Sequence, residues 1–569
     1  MYSASTALLE ALNEAGVSYI FANFGSDHPA LIEAIAEARA NGRPIPAVVT
    51  CPNEMVALSC AHGYAQITRR AQAVLVHVEC GTQALGGAVH NAARGRVPVF
   101  IFAGMSPVTQ EGELKGSRNE FIQWLQDVHD QRGIVREYVK YDNELRSGRN
   151  VKQIVHRAMQ IAHSEPTGPI YLVGAREVLE EEVEPIKIDT AQWSPVALAP
   201  LPADAVAALA QALAGARRPL VVTSYLGRNM AAVPELVEFC NRLGIGVLES
   251  APCFMNFPHD NGLYVGNQWN EPFQTLALAE ADVVLVIDSD IPWIPSVNQP
   301  NANAKIFHID LDPLKDAFPL WYIKALKSFR ADAASALKQL NECLAAMQFD
   351  AATVTERKRH YAGMHAARAK ELEQRETANA GSITPAFLTA CIRRHIGADA
   401  IVMSEGITNY PTICNHIAKT MPGTIFASGG SSLGWSGGAA IGAKLAAPDR
   451  MVASLTGDGS YMFSIPSTVH WMARQYRTPF LQVVYNNRGW HAPKFSALAV
   501  HPKGYASRAN TIDVSFDPPP DYAQIAAAAG GAHAQTIKRR EDLDAAVAEA
   551  VRVVREEKRC AVIDAWLAV

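Results

Sequence analysis

With 569 residues, 49% hydrophobic and 19% charged, the chain is too apolar to be disordered and too long for one core, so three domains are expected. Its formal net charge of −5 offers no basic face for nucleic acid. No apolar run approaches the roughly 18 residues that span a bilayer, and nine cysteines without a CxxC pair fit reduced thiols in a cytoplasm better than disulfides or zinc.

In chain order, MYSASTALLEALNEAG reads as an amphipathic helix, without the basic and then apolar regions of a secretory signal. Residues 1–180 then alternate apolar runs with helical patterns, the mark of a parallel sheet with crossover helices. The expected strands are VSYIFANF, IPAVVT, AVLVHV, VPVFIFAG and, after a long excursion, PIYLV. Acids and prolines in EVLEEEVEPIKIDTAQWSPVALAPLP mark a linker. Residues 195–345 repeat the alternation with PLVVTSYLG, IGVLES, ADVVLVIDSD and AKIFHIDLD. This unit resembles a Rossmann-type sheet, yet no GxGxxG follows its first strand, so a nucleotide there (FAD or ADP) is compatible but not indicated. Asp310 and Asp312 meet a ribose in one reading and cap a turn in the other. The charged helix TERKRHYAGMHAARAKELEQRE, its charges on a solvated face, and NAGSITP form a second linker. A third α/β unit, residues 380–569, completes a chain of three doubly wound parallel-sheet domains, the first and third sharing a gross plan.

The third unit carries the most informative stretch, Thr456 to Trp490. Gly-Asp-Gly-Ser follows the apolar run MVASL, and Asn-Asn follows FLQVVY. Two buried strands ending in polar residues place Asp458 beside Asn487, where an open α/β sheet binds ligands. A carboxylate, an amide oxygen and a backbone carbonyl suit a hard cation such as Mg²⁺. Gly457, Gly459 and Ser460 let a phosphate approach backbone N–H groups. Against this stands an ordinary strand–turn–helix, since Gly-Asp-Gly is common in turns.

With these motifs the sequence resembles the thiamine-diphosphate (ThDP) enzymes of the acetolactate synthase, benzoylformate decarboxylase and 2-hydroxyacyl-CoA lyase group. The resemblance covers nearly the whole chain, as a pyrimidine (PYR), middle and diphosphate (PP) order of domains. It implies that Asp458, Asn487 and the carbonyl of Gly489 ligate Mg²⁺, with extra residues around PSTVHW lengthening the usual Asp–Asn spacing. In CPNEMVALSCAHGYAQITRR, Glu54 matches the family's glutamate. Shared with N1′ of the aminopyrimidine, such a carboxyl promotes the imino tautomer that takes the C2 proton, and an apolar pocket suits it to this work. The plain alternative is a glutamate favoured by its helix dipole.

In HVECGTQALGGAVHNAARGRVPVFIFAG, His77 falls where benzoylformate decarboxylase has an active-site histidine, and Ser26 in NFGSDHPAL where it has a substrate-contacting serine. Asp27, His28 and Gln83 are weaker substrate candidates from the same turns, and a buried structural role for His77 weighs equally. In SGGSSLGWSGGAAIGAKLAAPDR, Leu433 takes the place of the residue that bends the cofactor, and Gly438 replaces a usual proline, which suggests a looser turn. SEGITNY resembles a diphosphate-contacting segment with Glu405, Ile407 and Thr408, the last alternatively a helix cap. Trp490 is expected to border the cofactor and, with His491 and Lys494, to line the substrate entrance, where Lys494 and Arg488 would meet a carboxylate or CoA phosphate; the plain alternative is that they are solvated like most exposed Lys and Arg.

The family uses its cofactor as an electron sink. A ThDP- and Mg²⁺-dependent lyase or carboligase acting on a 2-keto acid, aldehyde or acyl-CoA is therefore expected, with decarboxylation, acyloin-type ligation or 2-hydroxyacyl-CoA cleavage as its reaction. DSDIPWIPSVN lacks the arginine of flavin-binding acetolactate synthases, and RGWHAPKFSALAVHPKGYASRAN replaces their segment after the Asn pair, which argues against a biosynthetic acetolactate synthase. A nucleotide-dependent oxidoreductase and a catalytically dead binding subunit are the rivals from other classes. The resemblance also implies a homodimer or dimer of dimers, with active sites between subunits.

Overall fold

A computed structural model describes residues 2–379, 381–509 and 512–568. Ala380 and Val569, the ends of the expected third unit, and Asn510, the last residue of the segment after the Asn pair, lie outside them. Three six-stranded sheets follow one another along the chain.

The first holds β1 (Tyr19–Ala22), β2 (Ala47–Thr50), β3 (Ala73–Val76), β4 (Phe100–Met105), β5 (Tyr141–Leu145) and β6 (Ile170–Ala175). The second holds β7 (Pro219–Thr223), β8 (Gly246–Ser250), β9 (Tyr264–Gln268), β10 (Val283–Ile287), β11 (Lys305–Asp310) and β12 (Lys327–Arg330). The third holds β13 (Ile401–Glu405), β14 (Ile425–Phe426), β15 (Val452–Gly457), β16 (Leu481–Asn486), β17 (His533–Ile537) and β18 (Ala561–Trp566).

All neighbouring strands pair in parallel. Central strands such as β3, β7 and β10 are buried along their whole length, as helices on both faces require.

The first and third sheets share one order, β2-β1-β3-β4-β6-β5 and β14-β13-β15-β16-β18-β17. Each reverses direction between its first and third strand in chain order. The middle sheet runs β12-β11-β10-β7-β8-β9, the Rossmann order, with its reversal between β7 and β10. At each reversal the crossovers leave in opposite directions and open a crevice at the carboxyl ends of the strands.

The first and third units meet through two helices, Glu54–Thr68 and Ser436–Ala446, whose contact is the most extensive between any two helices. Glycines set this spacing. A β-carbon on Gly442 would overlap the carbonyl oxygen of Cys60, and one on Gly63 would overlap that of Ala439. Gly438 belongs to the same seam: its β-carbon would meet Ser59 Cβ at 2.7 Å and Val56 O at 3.0 Å. The expected loose turn at Gly438 is therefore corrected to a helix interior in close contact.

The charged linker helix spans Ala351–Thr377. Most of its charges face solvent, but Arg357 is fully buried. Its guanidinium donates to the carbonyls of Leu213, Ala214 and Ala216 at one helix end and Leu243 at another, neutralising acceptors that helix termini leave open. No helix among the described residues is long and apolar enough to cross a membrane, and none of the nine cysteines is paired.

Candidate active site

The reversal of the third sheet lies between β13 and β15. Beyond these strands and β16 is a cavity of about 250 Å³, lined by Ile407, Thr408, Leu433, Gly457, Asp458, Gly459, Ser460, Asn487, Gly489, Trp490 and His491, together with Gly406, Ala492 and Pro493. Every residue expected to hold the cofactor, except Glu54 and Glu405, borders this one space. Asp458, 2% exposed, accepts hydrogen bonds from Gly459 N at 2.8 Å and Gly489 N at 3.0 Å, and so joins the two strand ends. Burial pushes its carboxyl up to about 6, against the pull of those N–H donors.

Asn487 Oδ1 and Ser460 Oγ are buried without a partner. An orphaned amide oxygen beside a desolvated carboxylate is what a site built for a hard cation presents. Gly459 has no room for a side chain, since a β-carbon would lie 2.5 Å from Trp490 Nε1. Gly489, at φ +154°, is held against the Val514 carbonyl. Among the described residues no three His, Cys, Asp or Glu side chains form a ready metal site. A cation here would take its protein ligands from Asp458, the Asn487 amide and the Gly489 carbonyl.

One neighbour differs from expectation. Glu405 does not line the cavity. It is 1% exposed and accepts from the backbone N–H of Gly434, Trp435 and Ser436, anchoring the turn after Leu433. Lys494 also lies outside, in an adjacent cavity of about 250 Å³ with Arg488, His491 and Asp517.

The first sheet reverses between β1 and β3, and the remaining candidates gather there. Glu54 opens its helix, with Asn53 as the N-cap, and accepts from Asn23 Nδ2 at 3.0 Å. His77 Nδ1 lies 2.6 Å from Asp27 Oδ1, and Nε2 lies 2.8 Å from Gln126 Oε1. Asp27 Oδ2 accepts from Val78 N at 3.0 Å, and Val78 is held at φ +31°, a strained value for a β-branched residue. The hydrogen bond that His77 donates to Asp27 raises the His77 pKa although burial opposes it. Asp27 itself is held below the usual carboxylate range: burial pushes it up, but His28 and His77 outweigh that.

Asp27 is 2% exposed and His28 fully buried, and Asp27 bonds both His77 and His28, which makes the pair the support behind His77 in this chain. Ser26 is half-buried in the same turn, while Gln83 is exposed and bonded to Glu79. Gln126 and Asn23 went unnoticed in the sequence. Asn23 ends an apolar strand, the same signal that picked out Asp458. Gln126 comes from the excursion between β4 and β5, where no periodic pattern points to it.

On this one chain, Glu54 and His77 do not border the cavity around Asp458. The sequence candidates form two half-sites at equivalent reversals of two sheets with one strand order.

Comparison with known proteins matches three models in this same order. They are described as thiamine pyrophosphate enzyme N-terminal TPP binding domain (residues 2–134), central domain (206–340) and C-terminal TPP binding domain (406–565). The chain belongs to the thiamine pyrophosphate enzyme family. Among relatives of this family, it is 24% identical to benzoylformate decarboxylase of Pseudomonas aeruginosa over 98% of each chain. It is 23% identical to the acetolactate synthase large subunit of Corynebacterium glutamicum, covering 79% of this chain and 74% of that one. The solved structure of Rhodococcus jostii 4-hydroxybenzoylformate decarboxylase superposes with a TM-score of 0.78 over 99% of both chains, at 20% identity, which establishes a common fold. The protein is thus an enzyme of a thiamine-diphosphate-dependent family.

Proposed function

We propose that the protein is a ThDP- and Mg²⁺-dependent lyase or carboligase acting on a 2-keto acid. The observation that carries this reading is the single cavity that joins Asp458 to the unpartnered Asn487 oxygen and to Leu433. In it, Asp458, Asn487 and the Gly489 carbonyl would hold Mg²⁺, and the Gly457–Ser460 turn would receive the diphosphate. Leu433 would pack against the cofactor rings. ThDP supplies an electron sink for the charge left when a bond beside a carbonyl breaks.

Glu54 would offer a carboxyl to the aminopyrimidine and hold the proton that activates it. Because Glu54 does not border the Asp458 cavity on its own chain, a homodimer in which the first unit of one copy faces the third unit of the other supplies both halves. His77, kept cationic over a wider pH range by Asp27, orients a substrate carboxylate or holds a proton beside it. Relatives named benzoylformate decarboxylase and acetolactate synthase support a 2-keto acid as substrate.

The cavity bearing Arg488, Lys494 and His491 favours a second reading, in which an acyl-CoA places its phosphates there and 2-hydroxyacyl-CoA cleavage or ligation is the reaction.

The test is a calorimetric titration with ThDP and Mg²⁺ on the wild type and on Asp458→Ala. Tight, Mg²⁺-dependent binding in the first and its loss in the second are expected. A wild type without affinity for ThDP ends the proposal.

A further inference from the structure

Three sheets give three reversal crevices. Two of them hold the half-sites described above. The third, between β7 and β10, is where a Rossmann-order sheet receives a nucleotide, with the pyrophosphate against free N–H groups after the first strand.

Here those groups are spent. Ser224 N and Tyr225 N both donate to the Asp288 carbonyl at 2.9 Å, joining the two strand ends. Ser224 Oγ lies 2.6 Å from Ser289 Oγ and 2.5 Å from the Ser250 carbonyl. The segment after β7 forms a short 3₁₀ turn, Leu226–Arg228, and the following helix starts only at Ala232. Gly227 gives no access to a phosphate, because a β-carbon on it would overlap the Met255 carbonyl.

The carboxylate placed to meet a ribose is also engaged. Asp310 is fully buried and accepts from Lys315 Nζ at 2.7 Å and Tyr225 OH at 2.5 Å. Its reading as a ribose contact is corrected accordingly. Asp312 bonds the Lys315 backbone N–H, a turn cap. Lys315 Nζ reaches Asp290 Oδ1 at 3.0 Å as well.

Over this cluster lies a residue of the first unit. Arg96 stacks 4.2 Å above the Tyr225 ring and donates to both oxygens of Asp290, at 2.9 and 2.6 Å. Arg96 and Lys315, the two cations set over Tyr225, are therefore each held by a carboxylate and turned away from a pyrophosphate. Arg94 adds a bond to the Ala317 carbonyl at 2.9 Å and stacks on Phe318. A separate pair, Arg228 with Glu165 at 2.8 Å, joins the same two units.

Arg94 and Arg96 flank the C-terminus of the helix Gly86–Arg94. One turn earlier, Asn91 exchanges two hydrogen bonds with Ser432, its amide donating to the Ser432 carbonyl at 2.8 Å and its oxygen accepting from Ser432 N at 2.9 Å. His90 Nε2 lies 3.1 Å from the Gly430 carbonyl. Leu433 is the next residue. One short helix thus runs from the filled crevice to the wall of the cofactor cavity.

We propose that Arg96 and its partner Asp290 form an interdomain lock that fills the middle unit's nucleotide crevice and, through Asn91, positions the turn carrying Leu433. The middle unit acts as a rigid block behind the cofactor cavity, in place of a site for FAD or ADP. Arg96 and Asp290 are positioning residues, and their effect on the cofactor rests on the ThDP reading above.

Three measurements test the lock. The wild type, titrated calorimetrically with FAD and with ADP, shows no saturable binding; saturable binding of either overturns the filled crevice. In the wild type, ThDP binding tests the functional reading by itself, whatever the variants do. Arg96→Ala and Asp290→Ala each lower the melting temperature and raise the ThDP dissociation constant about threefold or more, with the double variant no worse than either single. Additive losses, or unchanged ThDP affinity in both single variants, overturn the lock. Should an alanine variant fail to fold, Asp290→Asn keeps an acceptor for Arg96 and removes only the charge. It is expected to bind ThDP between the wild-type level and the Arg96→Lys level, and wild-type affinity in both overturns the positioning role.

Discussion

His77 Nδ1 stands 2.6 Å from the buried carboxylate of Asp27, and this pair sets the charge of the first half-site. The His77 pKa is raised, so the stabilisation that imidazolium brings is full below the ordinary histidine value and is lost as pH climbs through the raised one. Asp27 is depressed, so its share is present above the ordinary carboxylate value and is lost as pH falls through the lowered one. Replacing Asp27 by Asn removes the charge, and the His77 titration followed by NMR is expected to move to lower pH. With a 2-keto acid substrate, kcat/KM at neutral pH is expected to fall about tenfold or more. An unmoved His77 titration shows that something other than Asp27 holds the proton.

Glu54 is half-buried at its helix N-terminus and accepts a hydrogen bond from Asn23 Nδ2 at 3.0 Å. Glu54→Gln keeps that bond and removes the acid. Hydrogen–deuterium exchange at C2 of bound ThDP is expected to slow by about two to four orders of magnitude, while ThDP affinity changes little. Exchange at the wild-type rate would remove Glu54 from the catalytic group.

The glycine seam between the first and third units makes a sharper structural prediction. Gly442→Ala drives a β-carbon into the Cys60 carbonyl and is expected to destabilise the protein by about 1–3 kcal/mol or to prevent folding. Gly363, exposed on the Ala351–Thr377 helix with open space around it, is the control. Gly363→Ala is expected to raise stability by up to about 1 kcal/mol, since alanine has the better helix propensity. Denaturant melts of the two variants decide the matter; equal effects would mean the seam tolerates a methyl group.

His62 packs against Trp435 in that seam, 1% exposed, with both ring nitrogens lacking partners. Burial pushes its pKa down to about 3. The unfolded chain therefore takes up a proton near pH 6.5 that the folded one refuses, so stability falls as the solution is acidified below that value, by about 1.4 kcal/mol per pH unit for this group. His62→Leu is expected to flatten the acid limb of melting temperature against pH relative to wild type. Parallel curves from pH 7 to pH 5 contradict the neutral, unpartnered His62.

Central strands such as β3, β7 and β10 were legible because burial on both faces writes an uninterrupted apolar run, as in VVLVI of β10. The edge strands β5, β9 and β12 were not. A strand with one neighbour keeps contact with solvent, so YDNEL of β5 carries polar residues throughout most of its length and reads as loop. The Asp458 half-site was legible for a related reason. Its residues sit consecutively where buried strands end, and a polar cluster after an apolar run is visible without knowing the fold.

What the sequence by itself determined is therefore chemistry that is local along the chain: the strand-end turns with their glycines, carboxylate and amide, and the repeated sheet plan of the first and third units. Tertiary structure alone decided which neighbours those turns acquire. Asp27 and His28 share a turn with Ser26, yet the fold buries them behind His77 and leaves Ser26 half-buried. Arg96 looks in sequence like a solvated residue after a helix, and only packing two units together sets it on Tyr225 and Asp290. Contacts between distant segments depend on geometry fixed by the whole assembly of sheets, which no local pattern of residue types encodes.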